Sequence, residues 1–233
     1  MRYTTDVQDA DFSLTRDSAF SYQCNACSRC CHHKAIRIEP YEALRLARHL
    51  KLSTTDFIAR HTEAGGTVLR VIEEKENACS FLGPKGCTVH SDRPLACRLY
   101  PLGIARDADG VEKVGRLAAH PETAGIYGTG ATVADYFAAQ GVAPFLDVSA
   151  RYRHVYDRML ARLEDLDAVE VEERAERRAA VDDTEVGVAA STWIDIDASV
   201  AAYCAAKGKM VPSDIETLVD LHIEAIDAWI NTI

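Results

Sequence analysis

The chain has 233 residues, 48% of them hydrophobic, and a formal net charge of −10 at pH 7. This length is enough to bury a core in one large domain or two small ones. An acidic surface repels phosphate backbones, and the sequence has no run of 18 apolar residues, so we expect neither a nucleic-acid partner nor a membrane span.

The N-terminal segment "MRYTTDVQDADFSLTRD" is polar and acidic. Because it lacks the apolar core of a signal peptide, we expect the protein in the cytosol, where disulfides rarely persist. The eight cysteines are therefore interpreted as metal ligands or catalytic thiols rather than as disulfides. Seven lie between positions 24 and 97, whereas Cys204, on the apolar face of a predicted helix, is interpreted as a buried and inert thiol.

The segment between the two groups of cysteines predicts two helices and a strand. Pro40 begins the first helix, in "IEPYEALRLARHLK", and Ser53 or Thr54 caps the second. The β-branched run "TVLRVI", residues 67–72, predicts a strand. Residues 79–101 are rich in glycine and proline and predict loops that a bound metal would hold in one shape.

The next segment predicts a hairpin, a glycine-rich turn and a helix. Residues 102–116 are expected to form a β-hairpin that turns at Asp109 and Gly110. The run "GIYGTG", residues 125–130, does not follow a predicted strand as a Rossmann loop would. We therefore interpret it as a turn before a helix over residues 132–140.

Beyond Pro144, cysteine and glycine become sparse and long helices are predicted. An amphipathic helix is expected from Ser149 through "RYRHVYDRMLARLEDL", with the charged "VEVEERAERRAAV" as a solvated extension. The spacing of Ser213 and Glu216 predicts a capping box at the start of the last helix. His222 lies on its apolar stripe and is interpreted as a hydrogen-bonded core histidine.

These elements indicate a mainly α-helical fold with a small β-hairpin and an irregular, loop-rich core organised around a cysteine-bound metal centre. We expect residues 1–145 to form a cysteine-cluster metal-binding domain. Residues 146–233 are expected to form a helical region packed on it.

Four cysteines fall within eight positions of "SYQCNACSRCCHHK": Cys24, Cys27, Cys30 and Cys31. The Cys-x-x-Cys spacing lets two thiolates converge on one zinc ion, and the repeated spacing supplies three ligands in ferredoxin-type iron–sulfur sites. Because successive side chains diverge along a backbone, the adjacent Cys30 and Cys31 are not expected to bind one metal atom together. The pair therefore indicates two metals, or two irons of one cluster.

A second group of cysteines, Cys79, Cys87 and Cys97, completes a set of seven. Seven thiolates could form two tetrahedral sites if one sulfur bridges or one histidine joins. Five cations adjacent in sequence would offset the excess negative charge: Arg29, Lys34, Lys85, Arg93 and Arg98. Thiolates accept both zinc and iron, so the spacing leaves the metal open, and the sulfur-rich set favours iron slightly.

The histidines near these cysteines are further candidate ligands. His32 and His33 follow the first group directly, and His90 lies three residues after Cys87. The sequence does not decide whether any of them binds metal. A thiol–disulfide oxidoreductase built on "CNAC" is disfavoured because no βαβ pattern surrounds it, and the CxxxCxxC of radical S-adenosylmethionine enzymes is absent.

The run "CNACSRCC", residues 24–31, and the segment "CSFL…CTVHSDRPLACRLYP", residues 79–101, resemble the YkgJ-type cysteine-cluster family. That family has a CxxCxxCC motif and is described as zinc- or iron-chelating. Its members often carry a further cysteine in a "CPG…G" segment, where this chain has "HPETAGIYGTG". The resemblance therefore implies His120 as an eighth ligand, because a histidine can replace a thiolate on zinc or iron.

Two functions from different classes follow. The first is a metal-binding protein that holds either iron, which could form an iron–sulfur cluster, or zinc. The bound metal would serve structure, storage or delivery. The alternative is a metal-cluster enzyme that modifies a side chain of a protein or peptide partner. A distant branch of the family resembles flagellin lysine methylases, so the alternative includes S-adenosylmethionine as a cofactor.

Overall fold

The computed structural model describes residues 11–107, 110–178 and 193–231. These residues form two compact units: a first unit of residues 11–38, 61–107 and 110–146, and a second unit of residues 39–60, 147–178 and 193–231. The expected boundary near residue 145 lies close to the point where the second unit resumes. Residues 39–60 nevertheless belong to the second unit, and the assignment of metal binding and support to two domains stays a prediction.

The first unit is built mainly from short antiparallel strands. A three-stranded sheet consists, in spatial order, of β1 (Asp11–Leu14), β10 (Glu112–Arg116) and β9 (Leu102–Arg106). A two-stranded sheet joins β2 (Ala19–Gln23) to β11 (Ile126–Thr132). Three smaller pairs are β3 (Thr62–Glu63) with β4 (Val68–Leu69), β5 (Val71–Ile72) with β6 (Ala78–Cys79), and β7 (Leu82–Gly83) with β8 (Gly86–Cys87). The fold therefore contains more strand pairs than the single hairpin that the sequence predicts.

The hairpin predicted over residues 102–116 is confirmed. β9 and β10 pair in register, with Ile104 opposite Val114, and both side chains are buried on one face. Gly110 has a φ of 77°, which a glycine adopts without steric strain. Asp109, the other predicted turn residue, lies outside the described residues.

The glycine-rich run at residues 125–130 is mostly strand, so its interpretation as a turn was wrong. Tyr127 in β11 pairs with Tyr22 in β2. A Cβ atom on Gly125 would lie 2.2 Å from the Tyr22 hydroxyl oxygen, and one on Gly128 would lie 2.7 Å from Ser21 Oγ. The glycines therefore permit a close approach of side chains from β2, a requirement that composition alone does not distinguish from a turn.

The predicted strand at residues 67–72 is divided in two. Val68 and Leu69 pair with β3, whereas Val71 and Ile72 pair with β6. The β-branched residues do form strands, but the chain changes partner at Arg70. This change brings β6, which carries Cys79, beside β5.

Two short helices complete the first unit: α3 (Leu95–Leu99) and α4 (Val133–Gln140). The helix predicted over residues 132–140 is confirmed as α4, and Thr132 is its N-cap. The Thr132 hydroxyl accepts a hydrogen bond from the Asp135 backbone, and the Asp135 carboxylate accepts one from the Thr132 backbone. Fully buried apolar side chains from the strands and from both helices form the core: Phe20, Leu99, Leu102 and Val133.

The remaining helices, which lie mainly in the second unit, have these bounds: α1 (Pro40–His49), α2 (Thr54–His61), α5 (Ala143–Arg178), α6 (Ile196–Lys207) and α7 (Ile215–Ile230). Pro40 begins α1 and Ser53 Oγ accepts a bond from the Asp56 backbone at the start of α2, as predicted. α5 begins at Ala143 and not at Ser149, because Pro144 fits the first turn of a helix. The last predicted residues of its extension, 179–181, lie outside the described residues.

The start of α7 differs from the prediction. Asp214 is the N-cap, and its carboxylate accepts a hydrogen bond from the Thr217 backbone at 2.8 Å, so the predicted capping box of Ser213 and Glu216 was wrong. Aspartate and serine both cap well, and the spacing to a later glutamate selected the wrong residue.

Two predictions about single buried residues of the second unit are confirmed. His222 is fully buried, and its Nδ1 lies 2.8 Å from the Tyr152 hydroxyl. Cys204 is fully buried in α6. Among the described residues, no helix is long and apolar enough to cross a membrane.

Candidate metal centre

The first four cysteines lie in a constrained loop that starts where β2 ends. Cys24 follows the last strand residue, and Cys30 and Cys31 lie in a single 3-10 turn. The backbone is left-handed at Ala26 and Ser28, with φ values of 52° and 62°, which is uncommon for residues other than glycine. Such positions persist only where the surroundings impose them.

Two contacts fix this loop against the segment before β11. The Asn25 side chain donates a hydrogen bond to the Ala124 carbonyl at 2.8 Å. The Arg29 guanidinium pairs with the Glu122 carboxylate at 2.9 Å. Arg29 is thus engaged with a carboxylate rather than with the thiols that it was expected to neutralise.

The other three cysteines are placed by three separate elements. Cys79 ends β6, Cys87 ends β8, and Cys97 lies in α3. All three side chains are half-buried. The short strand pairs and α3 therefore bring residues that are far apart in sequence to the loop that carries Cys30 and Cys31.

Six of the seven clustered cysteines line one cavity of about 330 Å³ in the first unit. They are Cys24, Cys30, Cys31, Cys79, Cys87 and Cys97. As their side chains are placed, no three histidine, cysteine, aspartate or glutamate side chains of the described residues form a group that could hold a metal ion. The six cysteines therefore surround one cavity, but their sulfur atoms do not converge on a single metal-binding position.

The remaining predicted ligands, Cys27 and His120, are not among the described residues that line this cavity. Hydrogen bonds from the backbones of Ala124 and Arg29 stabilise the Cys27 thiolate and lower its pKa. His120 Nδ1 accepts a hydrogen bond from the Glu122 backbone at 3.1 Å. Their roles as ligands stay predictions.

The three other histidines considered as candidate ligands, His32, His33 and His90, differ in their positions relative to the cavity. His90 lines the cavity. His32 Nδ1 lies 3.3 Å from the Glu76 carbonyl oxygen, and His33 Nδ1 lies 3.4 Å from Asn77 Nδ2. Of the three, only His90 has a place in the cavity wall among the described residues.

The adjacent cysteines form a proton-sharing pair. The Cys31 thiol donates a hydrogen bond to Cys30, which lowers the pKa of Cys30 to about 7 and raises that of Cys31. Burial raises the pKa of Cys79 and of Cys87. Without a metal, Cys30 is therefore the easiest of these four thiols to ionise.

Three cations line the cavity: Lys34, Lys85 and Arg93. Burial lowers the pKa of Lys34. The charge of Arg93 adds to the effect of Cys31 in lowering the pKa of Cys30, and it partly opposes the rise that burial causes in the pKa of Cys87. Arg98 serves another purpose, since its guanidinium donates to three backbone carbonyls and lies over the Phe145 ring.

An aromatic wall, which sequence analysis missed, faces the cysteines. It consists of Tyr22, Tyr100 and Tyr136, and we call it the tyrosine wall. The Tyr22 ring meets the other two edge-on, with centroid distances of 6.2 and 6.4 Å, and the Tyr136 hydroxyl donates to the Tyr100 carbonyl at 2.5 Å. Tyr22 lies two positions before Cys24 and Tyr100 three positions after Cys97, and these short spacings are the signals that the sequence offered.

The donor chemistry of the cavity fits zinc or iron. Thiolates are soft ligands that both metals accept, and the cations would offset their charge. The apolar surroundings would also exclude water, which strengthens electrostatic interactions between ligands and metal.

Residues 23–117 match the model of a protein family described as "CxxCxxCC: Putative zinc- or iron-chelating domain". The matched range contains all seven clustered cysteines and ends before His120. Comparison with curated proteins and with solved structures finds no significant match. Over residues 23–117 the chain is therefore similar to the CxxCxxCC family.

Proposed function

We propose that this protein binds zinc or iron through the cysteines that surround the cavity of the first unit. The observation that carries the proposal is the convergence of six cysteines, from a loop, two strands and a helix, on one space. Free thiols in a reduced protein have no need of such an arrangement. On binding, the thiolates would turn from their places around the cavity toward the metal.

The proposal extends to a centre with more than one metal atom. Cys30 and Cys31 are neighbours in a 3-10 turn, and both side chains reach the cavity. Six or seven thiolates exceed the four that a single tetrahedral ion takes, so two ions or an iron–sulfur cluster would use them fully. Iron is favoured slightly, and Cys27 and His120 are proposed as additional ligands on the sequence pattern alone.

Metal analysis of cysteine variants tests this proposal. Cys30→Ser and Cys97→Ser should each lower the amount of zinc or iron bound per chain, because each removes a cavity thiolate. Cys204→Ala is the matched control, since this buried cysteine lies in the second unit, and it should leave metal content unchanged. Equal metal content in all three variants would refute the proposed site.

A metal-cluster enzyme is the second candidate, and the size of the cavity favours it. A volume of about 330 Å³ lies at the lower end of the range for small-molecule sites, and it exceeds what the metal itself would occupy. The reaction proposed is modification of a protein or peptide side chain with S-adenosylmethionine. The run at residues 125–130 does not support a nucleotide loop, because residues 126–130 belong to β11.

Equilibrium dialysis of metal-loaded protein against S-adenosylmethionine tests this candidate. Saturable binding at one site per chain would support it, and no binding to protein of verified metal content would exclude this cofactor. The cytosolic location and the lack of a nucleic-acid partner stay predictions.

A further inference from the structure

Arg93 is held rigidly at the cavity wall. Its Nη1 group donates to the His90 carbonyl at 2.8 Å and to His90 Nδ1 at 3.1 Å, and its Nη2 group donates to Gln140 Oε1 at 2.6 Å. An arginine only donates hydrogen bonds, so His90 Nδ1 is the acceptor. Three bonds to two residues fix both the position and the plane of this guanidinium.

These bonds leave part of the guanidinium available among the described residues. Arginine has five N–H donors, of which three are used, so the Nε donor and one Nη2 donor remain. These two nitrogens are neighbours on one edge of the group. Two adjacent N–H groups in a plane match the two oxygens of a carboxylate or the oxygens of a phosphate.

The tyrosine wall provides an apolar surface close to Arg93. Tyr136 and Gln140, which accepts a hydrogen bond from Arg93, lie one turn apart in α4, so the tyrosine wall lies near Arg93. Burial raises the pKa of the Tyr136 hydroxyl, and the charge of Arg93 partly opposes this rise. Tyr136, Tyr22 and Gln140 line the same cavity. The wall could therefore cover the apolar part of a molecule whose anionic end binds Arg93.

The cavity also has space and charge for such a molecule. Its volume corresponds to about ten water molecules at about 30 Å³ each, and metal ions at the cysteines would fill only part of it. If two divalent ions bind to six thiolates, the three lining cations would leave a net charge of about +1. One further anion would then neutralise the site.

We propose that the cavity binds a small organic carboxylate, with its oxygens on Arg93 and its apolar group against the tyrosine wall. This site uses Arg93 and the tyrosine wall and none of the cysteine ligands. It gives the protein a small-molecule ligand in addition to zinc or iron. The alternative, in which Arg93 only balances the charge of Cys30 and Cys87, is an outcome of the test.

Calorimetric titration with benzoate tests the proposal on metal-loaded and on metal-free, reduced protein. Benzoate has a carboxylate and an aromatic ring, and benzyl alcohol, which lacks the charge, is the neutral control. We expect benzoate to bind at one site per chain in at least one form and benzyl alcohol to bind at least tenfold more weakly.

Two variants assign the binding to Arg93. Arg93→Lys keeps the charge but removes the paired donors, and it should weaken benzoate binding at least tenfold. Gln140→Ala removes one hydrogen bond that orients Arg93 and should weaken benzoate binding about threefold. If Arg93→Lys does not fold, this variant tests whether Arg93 binds the carboxylate. Arg60→Lys, at an exposed arginine of α2, is the matched control and should have no effect.

Three results would overturn the proposal: no benzoate binding in either form, equal binding of benzyl alcohol, or benzoate binding that Arg93 and Gln140 variants leave unchanged. A loss of metal in Arg93→Gln, which removes the charge, without any benzoate binding in the wild type would assign Arg93 to charge balance alone. Because metal content is measured separately, failure of the carboxylate site would not be confused with failure of the metal proposal.

Discussion

Replacement of Arg98 by lysine should destabilise the first unit strongly. Arg98 is 7% exposed, and it donates to the carbonyls of Arg93, Gln140 and Ser91 at 3.0, 2.8 and 2.5 Å. Its guanidinium carbon lies 4.3 Å from the centroid of the Phe145 ring. Lysine keeps the charge, but its single ammonium group cannot reach three carbonyls in different directions.

The magnitude follows from these contacts. Loss of two charge-assisted hydrogen bonds costs about 1.5 kcal/mol each at the low end of the range, and loss of the cation–π contact costs about 0.5–2 kcal/mol. We therefore expect Arg98→Lys to lower the free energy of unfolding by about 3.5–5 kcal/mol, out of the roughly 5–15 kcal/mol that is typical of a domain. Because Arg98 follows Cys97 in α3, metal affinity should fall as well.

The assay must report on the first unit. Both tryptophans, Trp193 and Trp229, lie in the second unit, so tryptophan fluorescence would follow the wrong part of the chain. Hydrogen–deuterium exchange of peptides from residues 91–106, measured on metal-free protein in urea, reports on unfolding of the first unit. Arg106→Lys is the matched control, since this exposed arginine makes one hydrogen bond to the Gly110 carbonyl and should change stability by less than about 0.5 kcal/mol. If Arg98→Lys were as mild as this control, the structural role given to Arg98 would be wrong.

Two further predictions concern other parts of the chain. Burial opposes the ionisation of Asp197, but hydrogen bonds from Arg48 and from the Thr54 backbone hold its pKa below the usual range. The ionised carboxylate therefore stabilises the fold at pH 7, and this contribution is lost as the pH falls through the lowered pKa. Asp197→Asn should therefore lower the free energy of unfolding by about 2 kcal/mol at pH 7. Urea titrations should show that this difference in unfolding free energy from wild type shrinks below about pH 4, and a difference that does not change with pH would contradict the ion pair. Gly125→Ala should displace the Tyr22 ring and lower the midpoint of urea unfolding. Gly130→Ala, whose added methyl group has no atom within 4 Å, should leave that midpoint unchanged. Equal effects of the two substitutions would contradict the close approach of Tyr22 to Gly125.

Local signals in the sequence predicted the features that depend on a few neighbouring residues. Pro40 marked the start of α1, and Ser53 was one of two candidates for the N-cap of α2, because capping is decided within one turn. The seven cysteines were identified by spacing, which is local as well. The same local logic failed at α7, where Asp214 and Ser213 are both good caps and only the packed helix selects between them.

Features that depend on distant residues could not be predicted in this way. The run at residues 125–130 becomes mostly strand because β2 supplies its partner, with Tyr22 over Gly125 and Ser21 over Gly128. The sequence shows Arg98 as a charge beside Cys97, but the Gln140 carbonyl that it binds lies 42 residues away and meets it only on folding. The tyrosine wall likewise combines side chains of β2, α4 and the residue after α3.

The most direct test of the central claim is the content of metal and acid-labile sulfide in protein purified without oxygen. The account predicts at least one zinc or iron per chain. Iron with a similar amount of sulfide would identify an iron–sulfur cluster, and zinc without sulfide would identify a zinc–thiolate centre. Protein that contains neither metal, takes up neither on reconstitution and has all seven clustered thiols free to react would contradict the claim that these cysteines form a metal centre.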